Sequence, residues 1–216
     1  MDRLAILHKG SVLMEHFVIT IGRYCGSGGA SIAKKLAKEL QIPFYDKNLL
    51  RLASDDSGIS EELFSHADET LKRSLIYRIS KNVYHGELIP PESDDFTSNQ
   101  NLFNYQAKVI TQLARESSCI IIGRCSDFIL RNEPHVLRVF ICASEPSCIA
   151  HEAARSHISK KEAETRVRRF NRRRKEYYKY YTGQTWDDPR NYDLCLNTDS
   201  LSIEQCVAQI RQLLGQ

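Results

Sequence analysis

The residues best suited to chemistry in this chain are glycines and arginines. Four glycines, at positions 22, 26, 28 and 29, fall within eight residues of the segment FVITIGRYCGSGGASIAKKLAKEL. They separate an apolar run ending at Ile21 from a helix-patterned stretch that begins near Ala30 or Ser31. Glycine permits positive φ and close backbone approach, so successive N–H groups and a helix N-terminus would form an anion cradle here. A plain tight turn needs fewer glycines, and the pattern points to phosphate. The candidate nucleotide-binding residues are Gly22, Arg23, Gly26, Ser27, Gly28, Gly29, Ala30 and Ser31.

The loop departs from G-x-x-x-x-G-K-[ST] in an instructive way. Aligned on Gly26-Ser27-Gly28, Gly29 stands at the Lys position and Ala30 at the hydroxyl position, with one extra residue after Gly22. Gly22–Gly28 does not form G-x-G-x-x-G either, which argues against a dinucleotide. Losing one preorganised donor costs on the order of 3 kcal/mol, or ~10²–10³ in rate. Phosphoryl transfer, which is mostly positioning and charge neutralisation, would therefore need another cation. Arg23 and the downstream arginines are available, whereas Lys34 and Lys35 are expected to be solvated.

Three further positions stand where ligands bind in α/β proteins, at strand C-termini. Asp46 follows the short IPFY run, as a ligand contact or as a cap for the next helix. Arg124 follows Gly123 at the end of an apolar run, where guanidinium suits bidentate phosphate recognition better than packing. Asp127, one turn on, would orient Arg124 or a hydrated Mg²⁺, or sit on a helix surface.

A basic segment completes the inventory. From Arg155 to Lys179 there are 11 basic and 3 acidic residues, a net of +8, followed closely by tyrosines at 177, 178, 180 and 181. The chain as a whole carries only +3, so the remainder is acidic, at −5. Three readings compete: an Arg-rich lid over transferring phosphates, an RNA or single-stranded DNA surface, and a solvated charged helix. Trp186 is expected to pack the return of this segment into the core, with base stacking as the alternative.

The elements that must position these residues read as alternating strands and helices. Phe17–Ile21, Cys119–Ile122, Leu137–Cys142 and Tyr192–Leu196 are continuous apolar runs, with Pro43–Tyr45 a shorter fifth, as in a parallel sheet covered on both faces. Ala30–Leu40, Asn104–Glu116 and Ser202–Leu214 have apolar residues at helical spacing, the last opening on a cap signature. The polar stretch GELIPPESDDFTSNQN is long enough to be a functional or mobile loop. No apolar run approaches the ~18 residues of a membrane span. Composition, with 42% hydrophobic and 26% charged residues, argues against disorder and coiled coil. The seven cysteines, an odd number without a CxxC pair, read as reduced structural thiols. Cys25 alone, at a helix N-terminus, occupies a place that can lower a thiol pKa.

Over residues 17–214 the chain resembles the cytidylate kinase-like family of P-loop NTPases. The resemblance is carried, in order, by ITIGRYCGSGGASIAKKLAKEL, IPFYDKNLL, IIIGRCSDFIL and RRFNRRRKEYYKYYTGQTWDDPRNYDLCLNT. It implies an α/β, three-layer P-loop NTPase fold with a parallel five-stranded sheet, a helical acceptor-binding insertion (54–105) and an Arg-rich lid (160–190). These would form a single domain, 17–216, behind an N-terminal extension, 1–16. ATP and Mg²⁺ are the implied cofactors and a nucleoside monophosphate, CMP or dCMP, the implied acceptor. Gly123-Arg124 resembles the pair that holds the acceptor nucleotide. NRRRKEYY matches the family's D-x-x-R followed by tyrosines, which places Arg174 at the lid arginine and Asn171 at the acid. Arg124, Arg173 and Arg174 are thus the implied catalytic residues, and Asp46, Arg124, Asp127, Asn171 and Arg174 the acceptor-binding ones. The expected partners are small-molecule nucleotides, with no membrane, in a cytoplasmic monomer or weak dimer. The lid reading sets nucleic acid aside as a partner. The alternatives are a catalytically weak nucleotide-binding regulator and nucleic-acid binding through the Arg-rich helix.

Overall fold

The computed structural model describes residues 16–46, 48–70, 87–91, 93 and 95–215. Residues 1–15 of the expected N-terminal extension and part of the expected insertion lie outside the described residues. Five strands form one parallel sheet in the order β2-β3-β1-β4-β5. They are β1 (Val18–Arg23), β2 (Phe44–Tyr45), β3 (Cys119–Ile122), β4 (Val136–Cys142) and β5 (Leu194–Asn197). The helices are α1 (Gly29–Leu40), α2 (Asn48–Ser57), α3 (Glu61–Thr70), α4 (Asn99–Glu116), α5 (Ser126–Ile129), α6 (Glu145–Ser156), α7 (Lys160–Thr182) and α8 (Ile203–Leu213).

Side chains alternate across a strand, so each apolar run divides between two layers. Ile19, Ile21, Ile120, Ile122, Val139 and Ile141 pack with Ile32 and Leu36 of α1 and Val207 and Ile210 of α8. Val18, Cys119, Ile121, Val136 and Phe140 face the other way, into the cluster built by α2, α4 and the C-terminal half of α7. The β2-β3-β1 order puts the C-terminal ends of these three strands side by side, and with them Asp46, Gly123 and Arg23.

Several boundaries differ from the sequence reading: β5 runs Leu194–Asn197 against the expected Tyr192–Leu196, β4 starts one residue early at Val136, and two further shifts have a plain physical cause. Strand β1 runs on through Gly22 to Arg23, so the glycine loop is the shorter Tyr24–Gly28. A Cβ at Gly22 would lie 2.8 Å from Phe140 Cδ2, and glycine there lets the strand pass under that ring. Helix α4 begins at Asn99, five residues before its apolar pattern, because Ser98 caps it by accepting from Asn101 N–H. Its first turn is polar yet buried. Asn101 donates to the carbonyls of Ile89 and Phe96 and accepts from Ile89 N–H, which fastens residues 87–91 to the helix. The expected cap of α8 is a full capping box between Ser202 and Gln205.

Candidate functional site

The loop is held from behind by its carbonyls. Thr198 Oγ1 donates to Ser27 O at 3.0 Å, and His151 Nδ1 lies 3.1 Å from Gly26 O. Ser27 turns its hydroxyl back onto Tyr24 O at 3.0 Å. A Cβ at Gly26 would fall 2.1 Å from the Cys148 carbonyl oxygen, so this position admits no side chain against α6. Gly26 and Gly28 have φ of 85° and 80°, in the left-handed region. The amides are left over. Gly28, the N-cap of α1, makes no side-chain cap bond, and the N–H groups of Gly26, Gly28, Gly29 and Ala30 find no acceptor among the described residues. Unspent amides at the positive end of a helix dipole are what an anionic phosphate requires.

Arg23 packs beside Gly29, the position at which the loop lacks a lysine. A Cβ at Gly29 would lie 2.6 Å from Arg23 Cβ and 3.0 Å from its Cγ. The stem of Arg23 therefore fills the room beside the position where a lysine would otherwise branch. Its guanidinium crosses the strand ends: Nη2 is 3.6 Å from Asp46 Oδ1, and Nη1 stands 2.6 Å from where a Gly123 Cβ would be. Burial is the largest influence on Arg23, and with the charge of Arg174 it lowers the pKa to about 9; Asp46 opposes the shift and Arg124 adds to it. Arg174 is lowered in the same way, by burial first, with Arg124 contributing. Like charges held together out of water disfavour ionisation until an anion joins them.

Arg124 reaches this place through an unusual turn. Gly123, Arg124 and Cys125 follow one another at φ of 67°, 60° and 55°. A left-handed non-glycine residue costs about 1–2 kcal/mol. The pair Arg124–Cys125 holds that conformation between β3 and α5, where strained backbone commonly accompanies function.

Helix α7 closes the site. Asn171 Oδ1 accepts the Cys25 N–H at 2.7 Å, and Arg174 Nη1 donates to Arg23 O at 3.0 Å. Further along, Tyr178 donates to Asp127 Oδ2 at 2.6 Å, Tyr181 donates to Asn99 O at 3.0 Å and its ring stacks 4.0 Å from Phe103. The return segment is fixed too: Trp186 is buried edge-on to Tyr24 and Phe140, and Asp187 receives Tyr24 OH at 2.7 Å and Lys175 Nζ at 2.8 Å.

The sequence-derived residues thus separate. Arg23, Asp46, Arg124, Asn171 and Arg174 gather with the loop from Gly26 to Ala30. Gly22 lies inside β1, and Ser31 is exposed on α1. Asp127 is buried rather than on a helix surface, and burial raises its carboxyl to about 6 against the Tyr178 bond. Arg173 lines a groove on the outer side of α7. Lys35 is engaged by Glu204 at 2.9 Å, away from the loop. Cys25 is buried, and burial raises its thiol, opposite to the lowering that a helix N-terminus suggests. His151, Thr198 and Asp187 escaped the sequence reading, as did the bond from Tyr178 to Asp127, since each acts across more than 50 residues of chain and no local pattern marks it.

Among the described residues there is no group of three or more His, Cys, Asp or Glu side chains placed to hold a metal ion. The loop's hydroxyl position is Ala30, and Ser27 spends its hydroxyl within the loop. Also among the described residues, no helix is long and apolar enough to cross a membrane.

Comparison with known proteins bears on the whole arrangement. A search of curated proteins finds no match. Among solved structures, an uncharacterized protein from Eubacterium ventriosum matches at TM-score 0.67 and 25% identity, covering 93% of this chain and 99% of that one. Shikimate kinase from Bacteroides thetaiotaomicron matches at TM-score 0.52 and 14% identity, over 93% of this chain and 99% of its own, a likeness of fold. A family model, that of the cytidylate kinase-like family, matches residues 18–200.

Proposed function

We propose that this chain, which belongs to the cytidylate kinase-like family, transfers the γ-phosphoryl group of ATP to a nucleoside monophosphate-like acceptor, with CMP or dCMP favoured. An acceptor phosphate oxygen attacks the γ-phosphorus in line, the bond to the β,γ-bridging oxygen breaks, and ADP leaves with the electron pair. The nucleophile is already an anion, so no strong general base is required.

The observation that carries this reading is the meeting of an uncapped loop with Arg23 and Arg174, two arginines whose buried charge calls for an anion. The free amides from Gly26 to Ala30 receive the donor phosphates. Arg23, with its stem beside the lysine position, supplies the missing cation between donor and acceptor. Arg124 holds the acceptor phosphate, and Arg174 neutralises charge that develops during transfer. Asp46 orients Arg23. Asn171 and Asp127 act on the position of α7, through Cys25 and Tyr178. Mg²⁺ would arrive on the nucleotide's phosphates and supply charge neutralisation there.

One observation favours a second reading, a nucleotide-binding regulator with weak catalysis: the residue after the absent lysine is Ala30, which has no hydroxyl, and the hydroxyl of Ser27 turns inward onto Tyr24 O. A thermal-shift screen of Mg-nucleotides, followed by ADP production with a panel of nucleoside monophosphates at high enzyme concentration, separates the two. Acceptor-dependent ADP supports the kinase. A stabilising nucleotide with no turnover on any acceptor supports the regulator.

A further inference from the structure

The lid and nucleic-acid readings compete for the same arginines in the sequence, but the structure divides α7 lengthwise. Ala163, Val167, Asn171, Arg174, Tyr178 and Tyr181 face α6, the loop and α4. On the opposite side of the helix, Lys161, Glu164, Arg168, Arg169, Arg172 and Arg173 line an open groove of about 530 Å³. None of the groove's cations is needed by the phosphate site.

Ion pairing still leaves this outer face net positive. Arg168 is engaged by Glu145 at 2.5 Å and Glu164 at 2.7 Å, and Arg172 by Glu176 at 3.1 Å. Lys161, Arg169 and Arg173 have no acidic partner among the described residues. At 1.5 Å per residue, Lys161 and Arg173 stand about 18 Å apart along the axis. That is a row of charge rather than a pocket for one phosphate. Arg169, Arg173 and Tyr180 share a stripe at i, i+4 and i+11. Tyr180 is 47% exposed, while its neighbours Tyr178 and Tyr181 are buried as anchors.

We propose that the outer face of α7 binds single-stranded nucleic acid, with backbone phosphates on Lys161, Arg169 and Arg173 and a base stacked on Tyr180. Phosphates spaced along a strand match the row of cations, and an exposed ring beside such a row is the usual base platform. The acidic remainder of the chain, at −5, orients this face toward a polyanion. The site is independent of the reaction proposed above.

The test is fluorescence anisotropy of a labelled 12-nucleotide oligo-U on the full chain, at 50 and 200 mM KCl, with and without saturating ATP and CMP. Three phosphate contacts predict roughly twenty-fold weaker binding at the higher salt. K161A/R169A should weaken binding at least ~10-fold and reduce the log–log salt slope by about 1.4, while its thermal shift with ATP stays that of the wild type. Y180A should weaken oligo-U but not inorganic polyphosphate. No binding at 50 mM KCl, full affinity in K161A/R169A, or displacement by ATP and CMP would overturn the proposal. So would polyphosphate binding as tightly as oligo-U with Y180A silent toward both.

Discussion

Arg23 concentrates the account at the scale of single residues. Truncating it in R23M should lower turnover by ~10²–10³, with R23K recovering part of it as a point charge without the fork. G29A makes a separate test, because the new Cβ would meet the Arg23 stem at 2.6 Å and force β1 and α1 apart; phosphate affinity and the melting temperature should both fall. The pH dependence follows from the same residue. A cation lowered to about 9 is charged at neutral pH and loses its proton as pH rises through that value. ATP affinity measured by calorimetry should therefore decline above about pH 9, and R23M should lack that decline. Asp127 moves in the opposite sense. Its carboxyl, raised to about 6 by burial, takes up a proton more readily folded than unfolded, so its contribution is full below about pH 4 and lost as pH rises through about 6. The stability of D127N relative to wild type should accordingly increase from pH 4 to 6 and level off above 7, by up to about 3 kcal/mol.

At the scale of elements, α7 is the part whose role rests on tertiary contacts. Its far half is held by the Phe103–Tyr181 stack and the Tyr178–Asp127 bond, its near half by Asn171 on the loop. F103A should cost ~3–5 kcal/mol of stability in chemical denaturation. N171A should cost only about 1 kcal/mol yet speed nucleotide release in stopped-flow, since it frees the helix from Cys25. The strands were legible beforehand because buried parallel strands are written as continuous apolar runs, and β3 falls on Cys119–Ile122 in both readings. The glycine loop was legible because phosphate cradles need backbone freedom in a short span. The start of α4 was not, since its buried Asn101 follows from a bond to Ile89 rather than from any period. Nor was the depth of Asp127, whose partner Tyr178 comes 51 residues later and only folding brings it there.

Across the whole molecule, a near-neutral total hides a separation of charge. The +8 segment lies in and just before one long helix, on a body of −5. That helix sends Arg174 inward to join Arg23, and turns Lys161, Arg169 and Arg173 outward. The sheet order sets the other half of the site by placing β2, β3 and β1 side by side, so that Asp46, Arg124 and Arg23 meet from distant parts of the chain. The central claim is that this arginine cluster performs the work of the absent loop lysine in phosphoryl transfer. ADP formation from ATP with CMP or dCMP, wild type against R23M at matched concentration, tests it most directly. The wild type should turn over only with an acceptor present, and the variant should lose at least ~100-fold of that rate. Equal rates in the two proteins would contradict it.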